Sequence, residues 1–282
     1  MKKMILTLLV GLMVLSSYAQ ELPRPSPWGE TKAMVGVTEV AVEYYRPGVK
    51  GRTIFGGLLP YGELWRFGAN GATQFTTAHE LHFGDQKLAA GTYSVFAIPN
   101  ENGTWQIIFN TDTEAGTADY TEDKDALRVD AKAQVGAFTE TFTLSFDNVK
   151  NNSANFVVLW ENLRVELPFE VDTDKNAMSN IDEAIKKGEN LGSVYGNAAD
   201  YYYNTVKDND KALELVDKSI EKGESFRNLF LKARILGGNG EKAKAITLAT
   251  KALKLAEEAG SKGYANFISG TIADWKETKL EK

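Results

Sequence analysis

Residues 44–70 combine side chains that bind anions with side chains that stack on flat ligands. The segment reads YYRPGVKGRTIFGGLLPYGELWRFGAN, with six glycines, two prolines, four basic residues and one acid, Glu63. Glycine lets the backbone approach a ligand closely. Arginine grips a carboxylate or phosphate through two parallel N–H bonds, and tyrosine or tryptophan can stack on a sugar. The pattern predicts an anion- or glycan-binding cleft.

The predicted cleft has seven candidate binding residues: Arg46, Lys50, Arg52, Tyr61, Trp65, Arg66 and Asn70. If residues 64–70 are extended, Trp65 and Phe67 face one way while Arg66 and Asn70 face the other. A structural Ω-loop, with its arginines bonded to backbone carbonyls and scattered acids, is the alternative interpretation. The sequence does not distinguish a binding cleft from a structural loop, because both require the same residue types.

Catalytic residues are sparse. Glu63 is the one candidate, as the acid of a hydrolase, although a single acid among arginines is more often part of a salt bridge. His79 and His82 are three residues apart in a strand-like pattern and face opposite sides, which disfavours a shared metal. Residues 119–130 partly resemble a calcium loop, but Lys124 replaces the required glycine. We expect no metal and no cofactor, and binding is favoured over catalysis.

The predicted cleft must be positioned by strands, because apolar residues alternate with polar ones from residue 35 to residue 170. Separate strands are predicted at LRVDAKA (127–133), ETFTLSF (140–146), NFVVLWE (155–161) and LRVELPFE (163–170). Eight or nine short strands without intervening helices predict an antiparallel β-sandwich or jelly roll, spanning residues 24–171.

From residue 172 the apolar period changes to that of a helix. Helices are predicted at 176–187, 195–206, 210–221, 226–236, 241–259 and 261–278. Segments 212–220 and 245–253 are similar at an offset of 33 residues, which resembles tetratricopeptide (TPR) repeats. The chain is therefore expected to be a segregated α+β protein, whose helical domain, 172–282, forms a short solenoid or a plain bundle.

The helical domain is a second candidate binding element, because helical repeats often present a concave surface to a protein partner. Its tyrosines, Tyr195 and residues 201–203, are expected mainly at the interface with the β-domain, with protein binding as the other possibility.

Residues 1–19 have the pattern of a secretory signal peptide, with Lys2 and Lys3 before an apolar run. We expect a secreted protein, periplasmic or extracellular, without membrane insertion after cleavage. Losing these two lysines changes the net charge from −6 to −8, which disfavours nucleic acid as a partner. The sequence has no cysteine, so disulfides are excluded.

Several segments carry a family resemblance: PSPWGE at 25–30, the loop of residues 44–70, LAAGTYSVFAIP at 88–99 and WQIIFN at 105–110. In order and spacing they resemble a secreted bacterial family of uncharacterised proteins, the domain of unknown function 2911. Its members often carry a helical, repeat-like tail. The resemblance covers about residues 24–170 and implies a secreted β-domain, but it implies no activity.

The leading expectation is thus a secreted binding or scaffold protein, with a small anion or glycan bound at the loop and a protein partner at the helices. The alternative is a cell-envelope hydrolase acting on glycans or peptides. A purely structural component of the envelope is the third possibility.

Overall fold

The computed structural model describes residues 23–277, which form nine strands followed by six helices. The predicted signal peptide lies outside the described residues. The strands are β1 (Trp28–Val35), β2 (Thr38–Tyr45), β3 (Thr73–Thr77), β4 (Leu81–Phe83), β5 (Gln86–Leu88), β6 (Gly91–Pro99), β7 (Thr104–Asn110), β8 (Asp125–Asp147) and β9 (Ser153–Val171). All pairs are antiparallel, in the order β1-β2-β3-β6-β7-β8-β9-β4-β5. The predicted α+β fold class is confirmed.

The sheet folds over itself because β8 takes part in two layers. Its first part pairs with β7, and its second part pairs with β9. Phe75 of β3 meets Phe156 of β9 with ring centroids 5.3 Å apart, although these strands are not neighbours in the sheet. The two layers therefore enclose one aromatic core, as in a β-sandwich.

β8 and β9 each replace two of the predicted strands. The β8–β9 pairing shifts register between Val135 and Thr143, and Glu161 of β9 has a positive φ of 54°. Such bulges bend a strand and interrupt the alternation of its side chains without ending it. The interruptions read as strand ends in the sequence, so the prediction of separate strands was wrong here.

The helices are α1 (Thr173–Lys187), α2 (Leu191–Tyr201), α3 (Asn209–Lys222), α4 (Phe226–Gly238), α5 (Lys242–Glu258) and α6 (Lys262–Glu277). A π-helical turn, Tyr202–Val206, extends α2. Side chains of Asp172, Asp208 and Ser225 accept bonds from backbone N–H groups in the first turns of α1, α3 and α4, which fixes where these helices begin. Within residues 23–277, no helix has both the length and the apolar character needed to span a bilayer.

Helices α2, α4 and α6 run parallel, side by side. Phe226 and Phe230 of α4 contact Tyr264 and Phe267 of α6 in the same order, with centroids 5.2 and 5.3 Å apart. Near its start, α4 is connected to Gly192 of α2 by hydrogen bonds that run through Ser219. Near its end, Arg234 of α4 forms an ion pair with Asp200 of α2. Helices α3 and α5 pack behind them through buried alanines: Ala212, Ala245, Ala249, Ala252 and Ala256. This is the geometry of a short solenoid rather than a plain bundle.

The two domains join where β9 ends at Val171 and α1 begins at Thr173. Thr173 Oγ1 donates to the backbone oxygen of Asn151, and Asn176 Nδ2 donates to Thr38 Oγ1 at 3.3 Å. The first turn of α1 is thereby tied to the β-domain.

Candidate functional site

The loop of residues 44–70 pairs with strands of both layers. Val49 N donates to Glu140 O at 2.7 Å and Phe142 N donates to Pro47 O at 2.9 Å, along the outer edge of β8. Farther along the loop, Trp65 and Ala97 of β6 exchange backbone bonds of 2.8 and 2.9 Å. An uncovered strand edge is a site for aggregation. The loop therefore protects two edges of the sandwich.

Arg46 and Tyr44 complete the covering of β8. Tyr44 Oη accepts from Leu144 N at 2.9 Å and lies 3.3 Å from Leu144 O. Arg46 Nε donates to Phe142 O at 3.3 Å, and its Nη2 donates to Thr143 Oγ1 at 3.1 Å. Arg46 is half-buried, and two of the three nitrogens expected to bind an anion are bonded to β8.

The other basic residues of the loop also donate to backbone carbonyls. Lys50 Nζ bonds to Pro25 (3.3 Å), Arg52 bonds to Val49 and Gly48 (3.0 and 2.6 Å), and Arg66 bonds to Asn70 (2.5 Å). These contacts match the alternative interpretation, that of a structural Ω-loop.

Trp65 is a core residue. It is 6% exposed, stacks on Trp160 with centroids 5.8 Å apart, and donates from Nε1 to Gly68 O at 3.0 Å. Phe67 is buried beside it, while Arg66 and Asn70 are more exposed. The segment is not extended throughout, because Phe67 and Asn70 have positive φ values of 55° and 57°. Because its ring lies among core aromatics, Trp65 cannot serve as the predicted stacking platform for a ligand. Tyr61, which is 41% exposed, keeps an accessible ring.

A cavity of about 210 Å³ lies on the loop, beside Glu63, Arg66 and Thr117. Among residues 23–277, Glu63 is the one acid that lines it. A glycosidase of the common kind requires two carboxyl groups flanking the scissile bond. The described lining thus supplies one of these two carboxyl groups.

The two histidines have separate partners. His79 Nδ1 lies 3.1 Å from Thr38 Oγ1, and His82 Nε2 lies 3.0 Å from Glu80 Oε1. Among residues 23–277, no group of three or more histidines and acids is placed to hold a metal ion.

The segment that resembles a calcium loop is organised around an arginine. Asp125 accepts from Arg128 Nε at 2.7 Å and from Tyr120 Oη at 2.8 Å. Burial, followed by the nearby Asp125 carboxylate, raises the pKa of Tyr120 to about 12. Asp125 is thus bonded to a tyrosine and an arginine of the protein, and it anchors this segment.

The larger cavity, about 720 Å³, lies in the helical domain. It is a groove with α4 at its centre and with α2 and α6 at its sides. Gly196 of α2 lies close to α3, where a Cβ atom would approach Ser219 Oγ to 3.1 Å. Ser219 Oγ donates to Gly192 O at 2.7 Å and accepts from the buried Asn228 at 3.3 Å. This polar network fixes α2, α3 and α4 around the groove.

Aromatic side chains line the α6 side of the groove. Tyr264 is 38% exposed and Phe267 is 57% exposed. The guanidinium of Arg227, on α4, lies 5.4 Å from the centroid of the Tyr264 ring. Farther along α4, Arg234 Nη1 lies 3.9 Å from Asp200 of α2. The groove thus offers apolar rings together with charged groups.

The sequence predicted partner binding by the helical domain but did not identify these residues. The available signal was the repeat itself, since the first helices of successive hairpins line the concave face of a solenoid. The expected interface between the tyrosines and the β-domain was wrong: Tyr201 bonds to Asp174 of α1, Tyr203 bonds to Arg234 O, and the others pack among helices. The other possibility, protein binding, stays a prediction, and Tyr201 lines the groove.

These features define a class: an α+β protein with an aromatic β-sandwich and a grooved helical solenoid. The family model described as "Protein of unknown function (DUF2911)" matches residues 26–169, and the chain belongs to this family. No curated protein and no solved structure matches the chain significantly.

Proposed function

We propose that this chain is a secreted, non-enzymatic binding protein that holds an extended segment of another polypeptide in the helical groove. The observation that carries the proposal is the 720 Å³ groove itself, within the usual size range of binding sites. The side chains of Ser193, Asn197 and Thr205 line it, and none of them is hydrogen-bonded to another described residue. Such hydroxyl and amide groups suit the backbone of a bound peptide.

The dimensions of the groove support a polypeptide over a small molecule. Its α2 side extends from Gly192 to Thr205, which corresponds to about 20 Å of helix at 1.5 Å per residue. An extended chain advances about 3.3 Å per residue, so roughly six residues fit along the groove. Tyr264 and Phe267 would pack against apolar side chains of the bound peptide.

Within this proposal the β-domain supports the helices. Arg46 of its loop uses donors on β8, and Arg52 and Arg66 use donors on backbone oxygens of the loop itself, which leaves these residues less free to bind a ligand.

The test is to fill the groove and measure peptide capture. The full chain without residues 1–19 is panned against a random peptide library, in parallel with Asn197→Trp and Ser269→Trp. Both positions are exposed on helices, but only Asn197 lines the groove. We expect peptides to be enriched on the unmodified chain and on Ser269→Trp, and to be lost on Asn197→Trp. Absence of enrichment on the unmodified chain, or equal enrichment on Asn197→Trp, would contradict the proposal.

A second candidate function is binding of a small anion or glycan, with or without turnover, at the 210 Å³ loop cavity. The juxtaposition of Glu63 and Arg66 in that cavity favours it. A thermal shift caused by acidic sugars and abolished in Arg66→Ala would support binding. Turnover of an envelope glycan or peptide, abolished in Glu63→Gln, would identify a hydrolase.

A further inference from the structure

Arg227 differs from the other arginines of the chain. All eight arginines lie within residues 23–277, and seven of them donate hydrogen bonds to protein oxygens: Arg24, Arg46, Arg52, Arg66, Arg128, Arg164 and Arg234. Arg227 makes no hydrogen bond and no ion pair with any described residue, although it is exposed in the larger cavity. A guanidinium carries five N–H donors, and at Arg227 none of the five bonds to a residue that the structure describes.

The guanidinium of Arg227 is nevertheless held in place. It lies 5.4 Å from the ring centroid of Tyr264 and 5.7 Å from that of Phe226. These two rings are themselves packed edge to face, with centroids 5.2 Å apart. Stacking on aromatic rings restrains a guanidinium while its edge remains available for hydrogen bonds. The donors are thus positioned before any ligand arrives.

Two acids of the helical domain that lie near the groove have basic partners. Glu224, three residues before Arg227, bonds to Lys251 at 2.6 Å, and Asp200 faces Arg234. Lys222 has no ion pair with a described residue and lies against Gly192, which lines the groove. Arg227 is therefore a cation of the groove that has no ion pair with a described residue, in a chain with a net charge of −6.

From this arrangement we infer that the groove recognises an acidic polypeptide segment, in which an aspartate or glutamate side chain binds Arg227. The inference rests on the proposed function and adds the chemistry of the partner. A carboxylate accepts two parallel N–H bonds from a guanidinium, which gives direction as well as charge. Tyr264 and Phe267 lie on α6 beside Arg227, so an apolar residue is expected close to the acidic one.

The inference is tested by panning a random peptide library on the unmodified chain, on Arg227→Gln and on Lys262→Gln. Lys262→Gln removes the same charge from an exposed position in α6 that does not line the groove. We expect acidic residues to be enriched on the unmodified chain and on Lys262→Gln, but not on Arg227→Gln. A labelled synthetic peptide from the enriched set should bind Arg227→Gln about tenfold more weakly or worse, as expected for a lost charge-assisted bond. Replacing its acidic residue by the matching amide should weaken binding to the unmodified chain equally.

If the selected peptides are not enriched in acidic residues and bind Arg227→Gln as well as the unmodified chain, the inference is overturned and the proposed function stands. No enrichment on the unmodified chain would overturn both. A peptide that loses binding only when its C-terminus is amidated would overturn the choice of a side-chain carboxylate. Dimerisation in sedimentation that disappears in Arg227→Gln would identify a second copy as the occupant instead. If Arg227→Gln does not fold, Arg227→Lys replaces it, with intermediate binding expected because charge remains but the bidentate fork is lost.

Discussion

Arg46 shows how one residue type serves recognition and folding through the same chemistry. Its guanidinium is directed at a backbone oxygen and a hydroxyl of β8, where a bound anion would otherwise accept the bonds. Its aliphatic part covers Gly29, at which a Cβ atom would lie 2.8 Å from Arg46 Cδ. The side chain thus contributes both packing and hydrogen bonds to the sandwich edge.

Removing Arg46 should therefore destabilise the β-domain. We expect Arg46→Ala to lower its free energy of unfolding by about 2 kcal/mol, because Phe142 O and Thr143 Oγ1 each lose a charged donor. Urea unfolding followed by tryptophan fluorescence measures this, since four of the five tryptophans precede residue 172. Arg52→Ala is the control: Arg52 is exposed and bonds only within its own loop, so a change of about 0.5 kcal/mol or less is expected. Equal effects of the two substitutions would contradict this role of Arg46.

At the scale of elements, the hairpin between β1 and β2 is fitted closely to the start of α1. Gly36 in its turn has a φ of +58°, and a Cβ atom there would lie 2.1 Å from Thr173 Oγ1 and 2.3 Å from Asn151 O. Gly51, in the loop of residues 44–70, has a similar φ of +68° but no atom within 4 Å of its Cβ position. The two glycines separate the cost of backbone strain from the cost of a steric clash.

Gly51→Ala should cost about 1 kcal/mol, the lower end of the penalty for a left-handed backbone at a residue with a side chain. Gly36→Ala should cost about 3 kcal/mol or more, because a clash with backbone is added to that penalty. Urea unfolding of both variants provides the comparison. Similar losses at the two positions would show that α1 moves away from the hairpin at little cost.

The sequence predicted elements well where a periodic pattern ran without interruption. The alternation in β7 and the caps of α3 and α4 are local, so the residues themselves define those elements. β8 and β9 each continue through bulges where the sequence predicted two separate strands. Pairing with strands distant in the chain tolerates these bulges, so the sequence could not predict the longer strands. Trp65 was misread for a similar reason, because its ring is covered by residues distant in the chain, including Trp160.

At the scale of the whole molecule, the two domains have separate cores. Most buried apolar residues described in the β-domain belong to one cluster between Val35 and Val171, and buried residues of the helices form two further clusters. The hydrogen bonds that tie α1 to the β-domain are peripheral to these clusters. Domains joined in this way are expected to unfold as independent units.

Thermal unfolding should accordingly show two transitions. Tryptophan fluorescence is expected to follow the β-domain, while the far-ultraviolet helical signal follows α1 to α6. In scanning calorimetry, Arg46→Ala should move only the transition that fluorescence reports. A single transition, identical for both signals and shifted as a whole by Arg46→Ala, would show that the domains are energetically coupled.

The candidate site itself was only partly predictable at this scale. A period of 33 residues indicated a solenoid and hence a concave surface, but Arg227 is notable only because it lacks the partners that the other arginines have. Whether a charge is compensated depends on contacts between helices. These contacts have no signature in the spacing of residues along the chain.

The position of β9 determines how the molecule would bear tension. β9 leads directly into α1, and it lies between β8 and β4 with antiparallel partners on both sides. A pull on a segment held in the groove would reach the sandwich through β9 and load its backbone hydrogen bonds together in shear, whereas the helices have no comparable ladder. The solenoid would therefore extend first and the sandwich would hold, an order of events that single-molecule stretching of the chain can measure.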